Sequence, residues 1–139
     1  MLMLDTDHMS ELGRRSAKVD ALVTRLSQSG KAIVTSIPTV EELYRGRLAQ
    51  IAQAKEPSVL LTAYGRFHDA VEDMKEWDIL PFDERAVRIL DRLRAQRLGI
   101  GTLDLRIASI AMANGARLLS RNLRDFQRVP GLAVEDWLT

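Results

Sequence analysis

The sequence has no cysteine and only two histidines, His8 and His68, among its 139 residues. The lack of cysteine excludes disulfide bonds and thiolate zinc sites. Two histidines are also too few for a histidine-rich metal centre. Any metal site must therefore consist mainly of oxygen ligands, which favours Mg²⁺ or Mn²⁺ over zinc.

Long hydrophobic runs are also missing from the sequence. No apolar run approaches the roughly 20 residues that a membrane-spanning helix needs, and no basic segment precedes the apolar N-terminus as in a signal peptide. We therefore expect a cytoplasmic protein with no membrane contact. The composition, 46% hydrophobic and 28% charged, excludes disordered and fibrous classes. The length predicts one domain, residues 1–139.

Positive charge is scarce in the first part of the chain and abundant in the second. Residues 1–84 carry 10 basic and 14 acidic residues, a net charge of −4, whereas residues 85–139 carry 10 basic and 5 acidic residues, a net charge of +5. All ten basic residues of the second part are arginine, whose planar guanidinium suits phosphate. This asymmetry fits either an ordinary soluble helix surface or a surface that holds a phosphodiester substrate.

Short apolar segments alternate with helical patterns along the whole chain. We predict strands near residues 1–4, 31–36, 77–81, 117–120 and 132–135. The predicted helices cover residues 5–13, 16–28, 38–54, 59–74, 84–98 and 104–114, with a helical turn at 122–126. This alternation predicts a three-layer α/β/α fold with a parallel sheet of about five short strands. The wholly apolar first strand should be central, and the apolar helix 104–114 should be buried.

Several side chains are predicted to act at helix starts. Ser58 and Asp83 should cap the helices that follow them. Glu42 should lie in the first turn of the helix that starts near residue 38, where the helix dipole favours negative charge by about 0.3–1 kcal/mol. Val87 should face inward from the helix 84–98. His8 reads as a surface or helix-start residue rather than a metal ligand.

Four polar residues are placed by this fold at one edge of the sheet. Asp5 follows the first strand, Glu42 follows the second, Asp104 opens the buried helix, and Asn122 follows the fourth strand. The carboxyl ends of parallel strands meet at one edge, where ligands bind. A carboxylate at the head of an apolar helix is costly unless it is paired, so a metal is a natural partner for Asp104.

Each of these residues also has a purely structural explanation. Asp5 and Asp104 could cap or begin helices, Glu42 could be a surface acid, and Asn122 could form a turn. Only their agreement on one edge favours a shared metal site.

Four sequence motifs together resemble a PIN domain, specifically the VapC-type toxin ribonucleases of bacterial toxin–antitoxin pairs. They are Leu4-Asp5-Thr6-Asp7, Glu42-Leu43-Tyr44-Arg45-Gly46, Asp104-Leu105-Arg106-Ile107-Ala108 and Leu119-Ser120-Arg121-Asn122-Leu123-Arg124-Asp125-Phe126, followed by Val129-Pro130-Gly131 and Glu135-Asp136-Trp137. Each motif is weak alone, but their order and spacing in a chain of this length are specific.

The resemblance implies a set of site residues. Asp5, Glu42 and Asp104 match the first three acids of the family, and either Asn122 or Asp125 takes the fourth position. Asp5 and Asp104 would hold Mg²⁺ or Mn²⁺. Thr6 and Ser120 match small polar positions that line the site. Asp7 stands where the family usually has asparagine, and this extra carboxylate would either raise metal affinity or repel its neighbours.

The resemblance also implies an activity and partners. The expected reaction is metal-dependent hydrolysis of RNA, leaving a 5′-phosphate, with tRNA or another structured RNA as substrate. Arg121 and Arg124 would hold flanking phosphates. A cognate antitoxin and a homodimer are the expected protein partners.

Two other functions are compatible with parts of the pattern. Because Asn122 is neutral, the chain could be a catalytically weak PIN domain that binds RNA or a partner protein without cutting. A receiver-like signalling domain also gathers acids at strand ends and binds Mg²⁺. Such a domain needs a lysine after a late strand. The lysines here are Lys18, Lys31, Lys55 and Lys75, and none of them follows a late strand. Their positions therefore argue strongly against a receiver-like domain.

Overall fold

The computed structural model describes residues 1–14 and 16–139. Within them, five strands form one parallel sheet: β1 Leu2–Leu4, β2 Ile33–Ser36, β3 Ile79–Leu80, β4 Arg117–Leu119 and β5 Val134–Glu135. The helices are α1 Thr6–Leu12, α2 Ala17–Gln28, α3 Ile37–Gln53, α4 Pro57–Met74, α5 Glu84–Ala95, α6 Thr102–Ala113 and α7 Leu123–Phe126. The predicted three-layer α/β/α fold with five short parallel strands is confirmed.

β1 is the central strand, as its wholly apolar sequence predicted. The strand order is β3-β2-β1-β4-β5, and Met3 pairs with Val34 on one side and Leu118 on the other. All three residues of β1 are buried, because a central strand of a parallel sheet is covered by helices on both faces. The residue after β1, Asp5, therefore lies in the middle of the carboxyl edge of the sheet.

Two hydrophobic clusters lie on the two faces of the sheet. One contains Met3 of β1 with residues of α5 and α6. The other contains Leu2 and Leu4 with residues of α1, α2 and the C-terminal segment. Alternate residues of a strand point to opposite faces, so β1 contributes to both clusters. Seven of the twelve residues of α6 are buried, which agrees with its nearly all-apolar sequence.

Side-chain caps start most of the helices that reach the sheet edge. Asp5 caps α1, Ser36 caps α3 and Asp83 caps α5, each accepting a backbone N–H from the first turn. The predicted cap at Asp83 is therefore confirmed. Gly30, with φ of +66°, follows α2 in the left-handed conformation that commonly ends helices.

Three local predictions are wrong. α4 begins at Pro57 rather than after Ser58, with Glu56 as its N-cap, because proline is well suited to a first helical position. α3 begins directly at Ile37 after β2, so Glu42 lies in the second turn and not the first. Val87 does not face inward and is 41% exposed, because α5 buries only the stripe of Ala86, Leu90 and Leu93.

No helix in the described parts of the chain combines the length and apolar character needed to cross a membrane.

Candidate active site

Asp5 lies at the centre of a polar cluster at the carboxyl edge of the sheet. Its Oδ1 accepts the backbone N–H of Thr6 at 2.8 Å, which makes it the N-cap of α1. Its Oδ2 accepts the hydroxyl of Ser120, also at 2.8 Å. Ser120 directly follows β4, the neighbour of β1 in the sheet. The side-by-side pairing of two strands therefore brings together residues that are far apart in the sequence.

The Asp5 carboxyl is harder to ionise than an ordinary aspartate. Asp5 is only 7% exposed, and burial raises its pKa from 3.8 to about 6. The hydrogen bonds from Ser120 and Thr6 oppose this rise, whereas the negative charges of Asp7 and Asp104 add to it. A positive charge placed here would therefore be favourable, because it would compensate both the lost solvation and the mutual repulsion.

Asp104 is in the first turn of α6, three residues after the N-cap Gly101. Its Oδ2 accepts the Nδ2–H of Asn122 at 3.0 Å, and the same amide nitrogen donates to Asp125 at 3.1 Å. Asn122 thus holds two carboxylates with one neutral NH₂ group. The structure makes Asn122 the bridge between Asp104 and Asp125, so both candidates for the fourth position lie at the site.

The pKa of Asp104 is raised above its usual value. Burial is the largest cause, and the negative charges of Asp125 and Glu42 raise the pKa further, against the hydrogen bond from Asn122. Glu42, although it is in the second turn of α3, is therefore close enough for its charge to act on Asp104. The negative charges of Asp104, Asp125 and Glu42 therefore repel one another, and the neutral hydrogen-bond donors of the cluster do not cancel them.

Asp7 behaves differently from the other carboxylates. Its Oδ1 lies 2.6 Å from Nδ1 of His8, and its Oδ2 accepts the backbone N–H of Arg121 at 2.9 Å. Burial of Asp7 tends to raise its pKa, but the hydrogen bonds from His8 and Arg121 outweigh that effect and hold the pKa below its ordinary value. The ionised form of Asp7 is therefore stabilised by its hydrogen bonds within the cluster.

The structure places most of the predicted site residues in this cluster. The hydrogen bonds and charge interactions already described join all of the following: Asp5, Thr6, Asp7, Glu42, Asp104, Ser120, Asn122 and Asp125. The side chains of Arg121 and Arg124 are exposed beside it, and Arg121 enters the network only through its backbone N–H.

His8 is the residue that sequence reasoning missed. It was predicted to be a surface or helix-start residue; it does lie in the first turn of α1, but its exposed fraction is 0%. The sequence contained one signal for this burial, because His8 lies four residues before the apolar Leu12 and shares a helix face with it. That signal did not reveal its partners.

The donor set fits a hydrated divalent cation. None of the ion pairs recorded for residues 1–14 and 16–139 involves Asp5, Glu42, Asp104 or Asp125. The hydroxyl of Thr6, the residue that follows Asp5, is buried and has no hydrogen-bond partner among the described residues. The described residues also contain no group of three or more ligating side chains in direct-binding geometry. Mg²⁺ keeps several waters and needs only one or two carboxylates, so water could complete its coordination.

Comparison with known proteins agrees with this fold. The family description of the PIN domain matches residues 2–132. The chain belongs to the PIN-domain family. Ribonuclease VapC2 of Haemophilus influenzae is 31% identical over 142 aligned positions, which cover 98% of this chain and 97% of that protein.

Other relatives match over different lengths. The tRNA(fMet)-specific endonuclease VapC of Shigella flexneri is 30% identical over 112 residues, covering 78% of this chain and 76% of that protein. Two further curated relatives are matched over only 45% and 48% of their own length. Among solved structures, the DNA-bound VapBC complex of Salmonella typhimurium superposes with a TM-score of 0.68 at 26% identity, over 99% of both chains.

Proposed function

We propose that this PIN domain is a metal-dependent endoribonuclease that hydrolyses RNA phosphodiester bonds as the toxin of a toxin–antitoxin pair. The observation that carries the proposal is the concentration of carboxylates at the sheet edge. Burial and neighbouring negative charge raise the pKa values of Asp5 and Asp104, and no basic side chain in the described residues pairs with either. Such a cluster is suited to a divalent cation and, with it, to a phosphate group.

Asp5 and Asp104 would hold Mg²⁺ or Mn²⁺, directly or through water, with Glu42 and Asp125 adding negative charge at the periphery. When bound, the ion would neutralise the phosphate and lower the pKa of a water that attacks it. Ser120 orients Asp5 through its 2.8 Å hydrogen bond. Asn122 orients Asp104 and Asp125 together. The family resemblance implies a product with a 5′-phosphate and a 3′-hydroxyl.

Arg121 and Arg124 would hold the RNA backbone beside the carboxylates. Both side chains are exposed on the segment that follows β4, and guanidinium groups bind phosphate in a bidentate manner. Contacts of this kind position the strand without reading its sequence. Replacement of both arginines by glutamine should weaken RNA binding and reduce its dependence on salt concentration.

The relatives suggest the substrate and the partners. The Shigella flexneri relative is named for tRNA(fMet), so tRNA is the first substrate to test. The Salmonella typhimurium structure is a VapBC complex, which supports a small antitoxin as the protein partner of this chain, and the family resemblance implies a homodimer. Purification together with the protein encoded beside it, followed by a measurement of mass in solution, tests both.

The decisive experiment is RNA cleavage by the purified chain and by the Asp104→Asn variant. Labelled tRNA should be cut in Mg²⁺, should remain intact in EDTA, and should be cut again when excess Mg²⁺ is restored. Asp104→Asn should abolish cleavage, whereas Asp20→Asn, an exposed carboxylate change on α2, should leave it unchanged. Retained Mg²⁺-dependent cleavage by a folded Asp104→Asn variant would refute the assigned site.

A catalytically weak PIN domain is the second candidate, and the neutral Asn122 favours it. In that case the chain would bind RNA with the salt dependence expected of the nuclease, but it would not cut RNA with or without added Mg²⁺ or Mn²⁺. The receiver-like alternative is not supported. The observed strand order β3-β2-β1-β4-β5 differs from the 2-1-3-4-5 order of flavodoxin-like domains, and Ser120 rather than a lysine follows β4.

A further inference from the structure

His8 connects the active-site cluster to the C-terminal segment. The backbone N–H of Trp137 donates to Nε2 of His8 at 3.1 Å. Since Nε2 accepts this bond, the imidazole proton must be on Nδ1, which is 2.6 Å from Oδ1 of Asp7. The structure therefore assigns one tautomer to His8, with Nδ1–H donating to Asp7.

Asp7 receives hydrogen bonds from two directions. His8 donates to Oδ1, and the backbone N–H of Arg121 donates to Oδ2 at 2.9 Å. Two donors require two acceptors, and a carboxylate provides both. An asparagine at position 7 would present its NH₂ group to one of these donors. The extra carboxylate of this chain is thus matched to its histidine neighbour.

The C-terminal segment that reaches His8 is itself well anchored. The Trp137 indole N–H donates to Glu135 at 3.3 Å, and the Arg25 guanidinium stacks on the Trp137 ring at 3.9 Å. Leu138 is buried in the cluster that contains Leu2 and Leu4. The Trp137 backbone N–H therefore has a fixed position from which it can orient the imidazole.

We propose that His8 is a positioning residue for the hydrolysis. Held by Trp137, it orients the Asp7 carboxylate, and Asp7 in turn fixes the backbone of Arg121 and the adjacent Ser120, the residue that holds Asp5. This inference rests on the proposed function. It assigns Asp7 to the support of the loop after β4, because both of its oxygens already accept hydrogen bonds.

Two substitutions of similar size separate the two contacts of His8. The amide of His8→Asn reaches the position of Nδ1, so it can donate to Asp7 but cannot reach Trp137. The amide of His8→Gln reaches the position of Nε2, so it can accept from Trp137 but not donate to Asp7. His68→Gln is the matched control, because the His68 side chain is 74% exposed on α4.

Amide hydrogen exchange reports each contact without any need for cleavage. His8→Asn should retain the protection of the Arg121 N–H and lose that of Trp137, and His8→Gln should show the reverse. In cleavage assays, His8→Gln should lower kcat by about 10–100-fold with little change in KM, as is typical when a support for a ligand is removed. His8→Asn, which keeps the donor to Asp7 but loses the contact with Trp137, should lower kcat by less than His8→Gln does.

Other outcomes would overturn the proposal. It is wrong if Arg121 exchange is the same in His8→Gln as in the wild type, or if the two variants lose kcat equally and in proportion to lost stability. A larger loss in His8→Asn than in His8→Gln also contradicts it, because the Trp137 contact alone would then matter. Absence of cleavage by the wild-type protein would instead count against the proposed function, and the exchange data would still decide the coupling.

Discussion

Replacement of Asp5 by asparagine should stabilise the metal-free protein at neutral pH while it removes activity. Burial raises the pKa of Asp5 from 3.8 to about 6, so the folded state holds the Asp5 proton more tightly than the unfolded state does. The folded protein therefore has the full contribution of Asp5 to stability only below about pH 4. That contribution is lost as the pH rises through about 6. Asparagine keeps the shape and the capping ability of the side chain and never ionises.

The size of this stabilisation follows from the pKa shift of Asp5. A difference of about 2 pKa units corresponds to about 3 kcal/mol between the two protonation states. Asp5→Asn should therefore raise the free energy of unfolding by about 3 kcal/mol at pH 8 and by less than about 1 kcal/mol at pH 4. The same substitution should abolish RNA cleavage, because it removes the negative charge from the centre of the cluster.

Urea unfolding at a series of pH values, in EDTA, measures this difference directly. The Asp20→Asn variant removes one negative charge at an exposed position on α2. It therefore controls for charge removal alone and should show a nearly pH-independent difference from the wild type. An Asp5→Asn variant that is less stable than the wild type at pH 8, or a difference that does not grow between pH 4 and pH 8, would refute the reasoning.

Metal addition gives an independent measurement in the same experiment. A ligand that binds only the folded state stabilises it by RT ln(1 + [L]/Kd), so tighter binding gives greater stabilisation. Millimolar Mg²⁺ or Mn²⁺ should therefore stabilise the wild type at pH 8 more than it stabilises Asp5→Asn. Equal stabilisation of both proteins would show that the cation does not interact with Asp5.

Three further substitutions test other parts of the structure. Thr6→Val should raise the free energy of unfolding by about 1–3 kcal/mol in urea titrations, because the buried Thr6 hydroxyl has no partner among the described residues; a loss of stability would indicate a hydrogen bond to water. Asn122→Asp should lower the melting temperature in EDTA, because the donor shared by Asp104 and Asp125 is lost, and should make the melting temperature more sensitive to Mn²⁺; an unchanged Mn²⁺ response would contradict this. Gly30→Ala should destabilise the protein by about 1 kcal/mol, since φ is +66° at this position, and an unchanged urea midpoint would show that the backbone there can relax.

Local sequence patterns were sufficient to predict most of the fold. Asp83 could be assigned as a cap because a cap bonds to an N–H only three residues away, here that of Ala86. The start of α3 was less well predicted, because β2 passes into the helix without a loop. The helix therefore starts one residue earlier than expected, which moves Glu42 out of the first turn and into the second.

Prediction of the site required both the local sequence patterns and the tertiary structure. The order of strands and helices was enough to place Asp5, Glu42 and Asp104 at one sheet edge. The bond between Ser120 and Asp5 could not be predicted, because these residues follow different strands. Ser120 and Asp5 are 115 positions apart, and no periodicity in the sequence relates them.

The amino-acid sequence by itself determined the alternation of strands and helices, the central position of β1 and the supply of acids at the ends of the strands. These properties depend on neighbouring residues and on the apolar character of short segments. Only the tertiary structure decided which acids are raised in pKa, that one amide joins Asp104 to Asp125, and that His8 is buried. The contact of His8 with Trp137 spans 129 positions, and loss of solvent and pairing of polar atoms arise only when such distant segments pack together.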